Sequence, residues 1–257
     1  MPKPQPMYRD IADELRAQIE SGALPPGRKL PHTTELMETF SASKQTVRSA
    51  VDVLVQEGLV IARRRYGTVV RDRRKVRIPL SRYKRSLESN GGKGPFEAAC
   101  EAQGLNGQMK VVGEPEHVRA PDVAALLGLP PDEDVVCRRR DALVDDQVVQ
   151  IQSAWYPLDV AQAAGLDRPG KITGGVYSRL RSAGFPATEA DERVAARMPT
   201  KEEGTQLGTG LAVPVLTVER ISRSDTGRPI ELLRVVAAGD RMELFYEALP
   251  LPGGERT

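Results

Sequence analysis

The side chains best suited to chemistry are Lys44, Gln45, Thr46 and Arg48, grouped in the first turns of a helical pattern that Ser43 opens. Arginine and lysine engage guanine edges or phosphates, glutamine pairs with adenine, and the free amides of a helix N-terminus favour phosphate oxygens. Ser49 faces the same way. A second group, Arg63-Arg64-Arg65-Tyr66-Gly67, lies between two short β-branched runs and reads as the basic tip of a hairpin. A glycine at such a tip lets the backbone approach DNA closely, and the arginines can meet phosphates or enter the minor groove. Taken by itself, this tip reads equally well as a solvated surface hairpin.

Enzymatic chemistry has less to draw on. Cys100 and Cys137 form no CxxC pair and have no local base, while His32 and His117 sit far apart. No Ser/His/Asp or Cys/His arrangement is present, so no catalytic residue, metal or cofactor is expected. Asn90-Gly91-Gly92-Lys93-Gly94 fails as a phosphate loop, because Gly94 stands where Ser or Thr is required. His32 reads as a turn residue.

The elements that must carry the DNA-reading groups follow from periodicity. Tyr8, Ile11, Ala12, Leu15 and Ile19 predict an amphipathic helix over 7 to 20, stopped by Ser21-Gly22. Pro25-Pro26-Gly27 forces a turn, and Thr33 or Thr34 caps a short helix with Leu36, Met37 and Phe40 inside. After the turn Ser41-Ala42-Ser43, a third helix buries Val47, Ala50, Val51, Leu54 and Val55 and ends at Gly58. Helix, tight turn, helix and hairpin is the order in which a recognition helix is presented to a major groove.

Charge supports this division. The 257 residues carry a net charge of +2, but residues 1 to 85 hold 18 basic and 9 acidic groups, which leaves 19 basic and 26 acidic beyond. A segment of net +9 is joined to one of net −7, and only the first is attracted to a phosphate backbone. With 40% hydrophobic and 28% charged residues, the chain suits two globular domains. No run reaches the roughly 18 apolar residues of a membrane span, and the first residues lack the apolar core of a signal peptide. A cytoplasmic location with no membrane partner is expected. Residues 72–89 read as a basic linker with few apolar anchors and 249–257 as a flexible tail.

In the remainder, Val135 to Val144 and Val148 to Tyr156 are strand candidates joined across Asp145-Asp146, and Val213 to Arg223 and Ile230 to Ala237 are joined across Asp225-Thr226-Gly227. Each pair follows a short helix. The pairs align at an offset of 80, Leu127 with Leu207, Gly128 with Gly208, Val135 with Val215, Arg140 with Arg220 and Asp145 with Asp225. Two such units, neither able to bury its apolar face alone, predict one antiparallel sheet with a ligand cleft between them.

The N-terminal residues resemble a known family. Gly22 to Pro31, Glu35-Leu36, Ser43-Lys44-Gln45-Thr46-Val47-Arg48 and Glu57-Gly58-Leu59-Val60 are similar to the winged helix-turn-helix of GntR-type bacterial regulators, over domain 1–71. That resemblance implies DNA contacts from Ser43, Lys44, Gln45, Thr46 and Arg48 and a wing contact at Gly67, made by a homodimer on a near-palindromic operator; the basic tip adds Arg64, Arg65 and Tyr66 as candidate DNA contacts. Thr34 belongs to the same face, where the family usually has arginine, and Lys44 also replaces a common arginine.

Residues 90–248 resemble the UTRA effector domain of the HutC subfamily, through Leu126-Leu127-Gly128-Leu129, Val135 to Arg140, Trp155-Tyr156-Pro157, Gly174-Gly175-Val176-Tyr177, Arg197-Met198-Pro199, Pro229-Ile230-Glu231 and Gly239-Asp240-Arg241. The resemblance implies an α+β fold of chorismate-lyase type, an antiparallel sheet with helices, that binds a small effector near Arg138, Arg140, Tyr177 and Glu231. Ser-Leu-Tyr of many phosphosugar sensors is replaced by Gly175-Val176-Tyr177, which removes a hydroxyl, and their second strand arginine falls at Ala142. The expected function is a one-component transcription regulator, a repressor, modulated by a small molecule. The alternatives are a C-terminal domain that only dimerises, or a lyase-like enzyme. Tyr177 as helix core and Glu231 paired with Arg220 across strands are the plain structural roles open to those residues.

Overall fold

The computed structural model describes residues 7–63, 66–79, 94–172 and 174–247. Arg64 and Arg65 of the expected wing, the segment Asn90 to Lys93 and the expected tail lie outside the described residues. Two compact units are present, one made of residues up to Arg74 together with Met198–Pro214, the other of Lys75–Arg197 and the chain from Val215.

In the first unit, α1 (Met7–Glu20), α2 (Thr33–Thr39) and α3 (Lys44–Gln56) close over Ile11, Leu15, Leu36, Val47, Ala50 and Leu54. The short α2 is capped one residue earlier than Thr33 or Thr34 predicts. His32 holds the cap position, and its N–H donates to the Glu35 carboxylate at 2.7 Å. A reciprocal bond from the third helical residue outweighs the threonine hydroxyls here. Ser43 caps α3 as its sequence predicts, accepting from the Thr46 N–H at 3.1 Å. The hairpin is β1 (Val60–Arg63) against β2 (Gly67–Val70). Lys29 bridges to Val69, so the stretch before α2 adds a third edge to the wing.

The second unit is a six-stranded antiparallel sheet in the order β4-β5-β6-β9-β8-β7. Its strands are β4 (Gly107–Arg119), β5 (Asp134–Val144), β6 (Gln147–Pro157), β7 (Ala187–Arg197), β8 (Val215–Ser224) and β9 (Pro229–Ala238). Helices α4 (Pro95–Glu101), α6 (Leu158–Ala164) and α7 (Val176–Ser182) contribute Phe96, Val160 and Leu180 to the core on one face. On the other face α5 (Pro121–Leu126) packs Val123 on Val135 and Leu232. The hairpin β5-β6 turns at Asp145 and Asp146, both at positive φ (48° and 61°), a conformation that Asp tolerates in tight turns.

The expected repeat is visible in this topology. The order α4-β4-α5-β5-β6 recurs as α7-β7-α8-β8-β9, with α8 at Lys201–Gln206, and the two halves meet at β6 and β9. Helix α5 and helix α8 begin and end 80 residues apart, as do the starts of β4 and β7. One expectation is corrected. The supposed basic linker contains β3 (Val76–Pro79), which pairs in parallel with β10 (Met242–Phe245) and buries Val76 and Ile78 in the core of the sheet unit. Two alternate apolar residues are enough to anchor a strand when its partner is distant in sequence, and local composition does not reveal that partner.

Candidate nucleic-acid interface and effector site

Helix α3 buries Val47, Ala50 and Leu54, so its opposite side is fixed toward solvent by the helical period. Lys44, Gln45 and Arg48 are exposed there, and among the described residues none of the three has a hydrogen bond or ion pair. Contrast Arg16 on α1, held by Glu57 at 2.6 Å and by Asp13 at 2.5 Å. Ser43 and Thr46 are occupied with each other, their hydroxyls 2.8 Å apart in addition to the cap bond. Thr34 is exposed, its hydroxyl 2.9 Å from Nδ1 of His32. At the wing, Tyr66 is 51% exposed, and Gly67 has φ +99°, a conformation closed to other residues.

One cation at the wing escaped sequence reasoning. Lys29 stands with its ammonium 3.8 Å from the centroid of the Tyr66 ring. This placement depends on the pairing of residues 27 to 30 with β2, in which the Gly27 N–H donates to Val70 and the Leu30 N–H to Thr68. Nothing in local spacing signals it.

The sheet unit carries a second polar assembly, on the face that also holds the main core. Glu231 of β9 is 2% exposed and accepts four hydrogen bonds: from Tyr156 at 2.9 Å, Tyr177 at 3.0 Å, Ser222 at 3.1 Å and Arg220 at 3.2 Å. Register explains the meeting. Ser222 lies directly opposite Glu231 and Arg220 diagonally across, so three side chains of β8 and β9 converge on one face. Burial pushes the Glu231 carboxyl up, but the Arg220 charge and the tyrosine hydrogen bonds outweigh it and hold the group below its ordinary range. Tyr156 and Tyr177 are pushed well up, first by burial and then by the Glu231 charge, so both remain hydroxyl donors. Arg220 also reaches Glu192 on β7 at 3.6 Å.

The two strand arginines differ. Arg138 is buried and donates to the carbonyls of Leu166, Arg168 and Gly170 at 2.6 to 2.7 Å, fastening the loop after α6. Its guanidinium fork is therefore occupied by backbone. Arg140 points to the same face two residues on, is half-buried, and among the described residues has no hydrogen bond or ion pair. Its charge helps to lower the Glu231 carboxyl. Of the four expected effector residues, then, Tyr177 and Glu231 touch, Arg140 lies on their face and acts on Glu231 through its charge without a hydrogen bond among the described residues, and Arg138 serves the loop. Neither cysteine offers a thiolate near neutral pH, since burial pushes Cys100 up to about 11 and raises Cys137. No helix among the described residues is long and apolar enough to cross a membrane.

These two arrangements agree with what the chain resembles. The family model of bacterial regulatory proteins of the gntR family matches residues 7–70, and the UTRA domain model matches residues 102–243. An uncharacterized HTH-type transcriptional regulator of Streptomyces coelicolor is 32% identical over 94% of this chain and 92% of its own length. The chain belongs to the GntR family and carries a UTRA domain. The HTH-type transcriptional repressor NagR of Bacillus subtilis is 26% identical, with 95% of each chain covered. Among solved structures, a putative GntR-family transcriptional regulator superposes with a TM-score of 0.58 at 30% identity, covering 96% of this chain and 98% of that one. PhnF from Mycobacterium smegmatis does so with a TM-score of 0.58 at 26% identity, covering 94% of this chain and all of that one. This GntR-family chain is a DNA-binding transcription regulator with a UTRA domain.

Proposed function

We propose that this regulator is a homodimeric repressor of the HutC subfamily, which grips a near-palindromic operator with two copies of α3 and releases it when a small effector binds the UTRA sheet. The carrying observation is the trio Lys44, Gln45 and Arg48, exposed on the recognition helix without a partner among the described residues. Donors left unspent by the fold are available to base edges and phosphates. Ser43, Thr46, Thr34, Tyr66 and Gly67, with Arg64 and Arg65 from the sequence, complete the DNA-contacting set of this reading. NagR, a repressor by name, supports the sign of regulation. The effector acts through different affinities for the operator-competent and the incompetent arrangement, and through nothing else.

In the UTRA domain the same logic favours Arg140 as the group that meets an effector, with the Tyr177–Glu231 cluster on the same face of the sheet. A half-buried cation whose guanidinium makes no hydrogen bond or ion pair among the described residues suits an anionic ligand. Selection of genomic DNA fragments on the purified protein tests the reading. An enriched short near-palindrome bound with a steep salt dependence supports it; binding without sequence preference rejects it. A second reading has its own observation. The Glu231 cluster is satisfied by internal partners and Arg138 by backbone, as in a domain that only dimerises. Saturable binding of a small molecule that is lost in Arg140→Ala rejects that version.

A further inference from the structure

The stretch that runs into α2 lies along the wing. Lys29 bridges antiparallel to Val69, the Gly27 N–H donates to Val70 at 2.9 Å, the Val70 N–H to Arg28 at 2.8 Å and the Leu30 N–H to Thr68 at 2.9 Å. Leu30 is buried in the core of the three helices, so the backbone is pinned on both sides of Lys29. From that fixed point the side chain crosses to the hairpin, where its ammonium stands 3.8 Å from the centroid of the Tyr66 ring. Neither polar group is engaged elsewhere. Among the described residues Lys29 makes no hydrogen bond or ion pair through its side chain and the Tyr66 hydroxyl makes no hydrogen bond, and both residues are exposed. Beside the ring, the space where a Cβ of Gly67 would stand is open, with nothing within 4 Å.

A lysine ammonium on its four-carbon stem is a mobile charge, and holding it in one place costs side-chain entropy. A ring face that attracts the cation removes part of that cost before any ligand arrives. The ammonium has three N–H donors, more than one ring face takes up. We propose that Lys29 is a phosphate contact of the operator complex, supplied from outside both the recognition helix and the hairpin and held in place by Tyr66. The inference rests on the reading above in which the wing meets DNA, and it adds a residue and a division of labour: the ring positions, and the ammonium neutralises a backbone charge. Attraction of an ammonium to a ring is worth about two- to fivefold in an equilibrium at an exposed site and about thirtyfold where water is excluded, so the pair tightens as the duplex closes over it. A phosphate contact fixes register and affinity and carries no sequence information of its own, so Lys29 does not choose the operator.

The test titrates the full chain by fluorescence anisotropy against two labelled duplexes, one carrying the site enriched by genomic selection and one of mixed sequence, over a range of salt concentrations. The mixed-sequence duplex keeps the phosphate contribution measurable whatever the selection yields. Lys29→Met keeps the stem and removes the charge. It is expected to weaken both duplexes alike and to lower the salt slope by about 0.9 for each head engaged, and Lys29→Arg is expected to restore that slope. Tyr66→Leu is expected to weaken binding about two- to fivefold when Lys29 is present and not in the Lys29→Met background, while Tyr66→Phe, which keeps the ring, binds as wild type. Arg28, exposed and without a ring contact among the described residues, is the control: Arg28→Met and Tyr66→Leu are expected to add. If Tyr66→Leu has the same effect, large or nil, with and without Lys29, or if Lys29→Met leaves the slope unchanged, the proposal is wrong. The wing reading survives that result where either variant still weakens binding, and falls with it where neither does.

Discussion

Arg48 owes its availability to a helical period that buries Val47 on one side of it and Ala50 two residues later, leaving the guanidinium outward and without a partner among the described residues. Arg48→Ala should weaken specific operator binding by about 10- to 100-fold, the value of a good base-edge contact, with no change in melting temperature. An electrophoretic mobility or fluorescence anisotropy titration beside a thermal scan separates the two effects; equal affinity places Arg48 off the groove. Glu231 makes the opposite case, a charge wholly spent on the fold. Glu231→Gln leaves Arg220 buried with only part of its compensation and should cost about 3 kcal/mol of stability. Its pH dependence has a definite sign. The folded carboxyl is depressed below its ordinary value of 4.5, so its stabilisation is complete above that pH and fades as the pH falls through the lower folded value. The stability gap between wild type and Glu231→Gln should therefore narrow on acidification below pH 4.5, measured by urea unfolding at successive pH values; a gap that widens would refute the ion pair.

Among the elements, those that the chain announces locally were readable. The three N-terminal helices, the hairpin and the two central strand pairs all show a clean apolar period, and each bears out within a residue or two. Strand β7 does not, because an edge strand exposed on nearly every residue lacks the alternation that marks a buried face, and in β4 the alternation that runs from Gln108 to Val112 is interrupted by the irregularity before Glu116. The β3-β10 pair joins residues 76 and 242, and only the folded chain brings them together. Gly58 shows a further case. It reads as a helix stop, and with φ +68° it is one, but a Cβ there would also lie 2.6 Å from Cγ2 of Val213, in the segment that follows α8. Gly58→Ala should thus cost about 1–2 kcal/mol for the backbone and about 1–3 kcal/mol more for the collision. Thermal unfolding of Gly58→Ala, Val213→Ala and the double variant measures the coupling, which should be favourable in the double variant; strict additivity would mean that the two side chains do not meet.

For the molecule as a whole, the division of charge decides how the regulator behaves in salt. The DNA-reading end carries net +9 and the rest net −7, so a duplex attracts one end of each protomer and repels the other. In the proposed two-headed complex, with phosphates neutralised through the wing and the first turn of α3, each neutralised phosphate releases counterions, and affinity should fall with the logarithm of salt at about −0.9 per phosphate. With six to ten phosphates engaged by the pair, raising salt from 50 to 200 mM should reduce operator affinity by about 10³- to 10⁵-fold. Lys44→Ala, at a side chain proposed to meet either a phosphate or a base, should discriminate between those partners. A phosphate contact lowers the slope by about one and weakens all sequences alike, whereas a base contact leaves the slope and relaxes one operator position. Anisotropy titrations of wild type and variant over four salt concentrations supply both numbers. A wild-type slope shallower than about −3 would mean that only one head is engaged, and the two-headed grip on a near-palindrome would have to be abandoned.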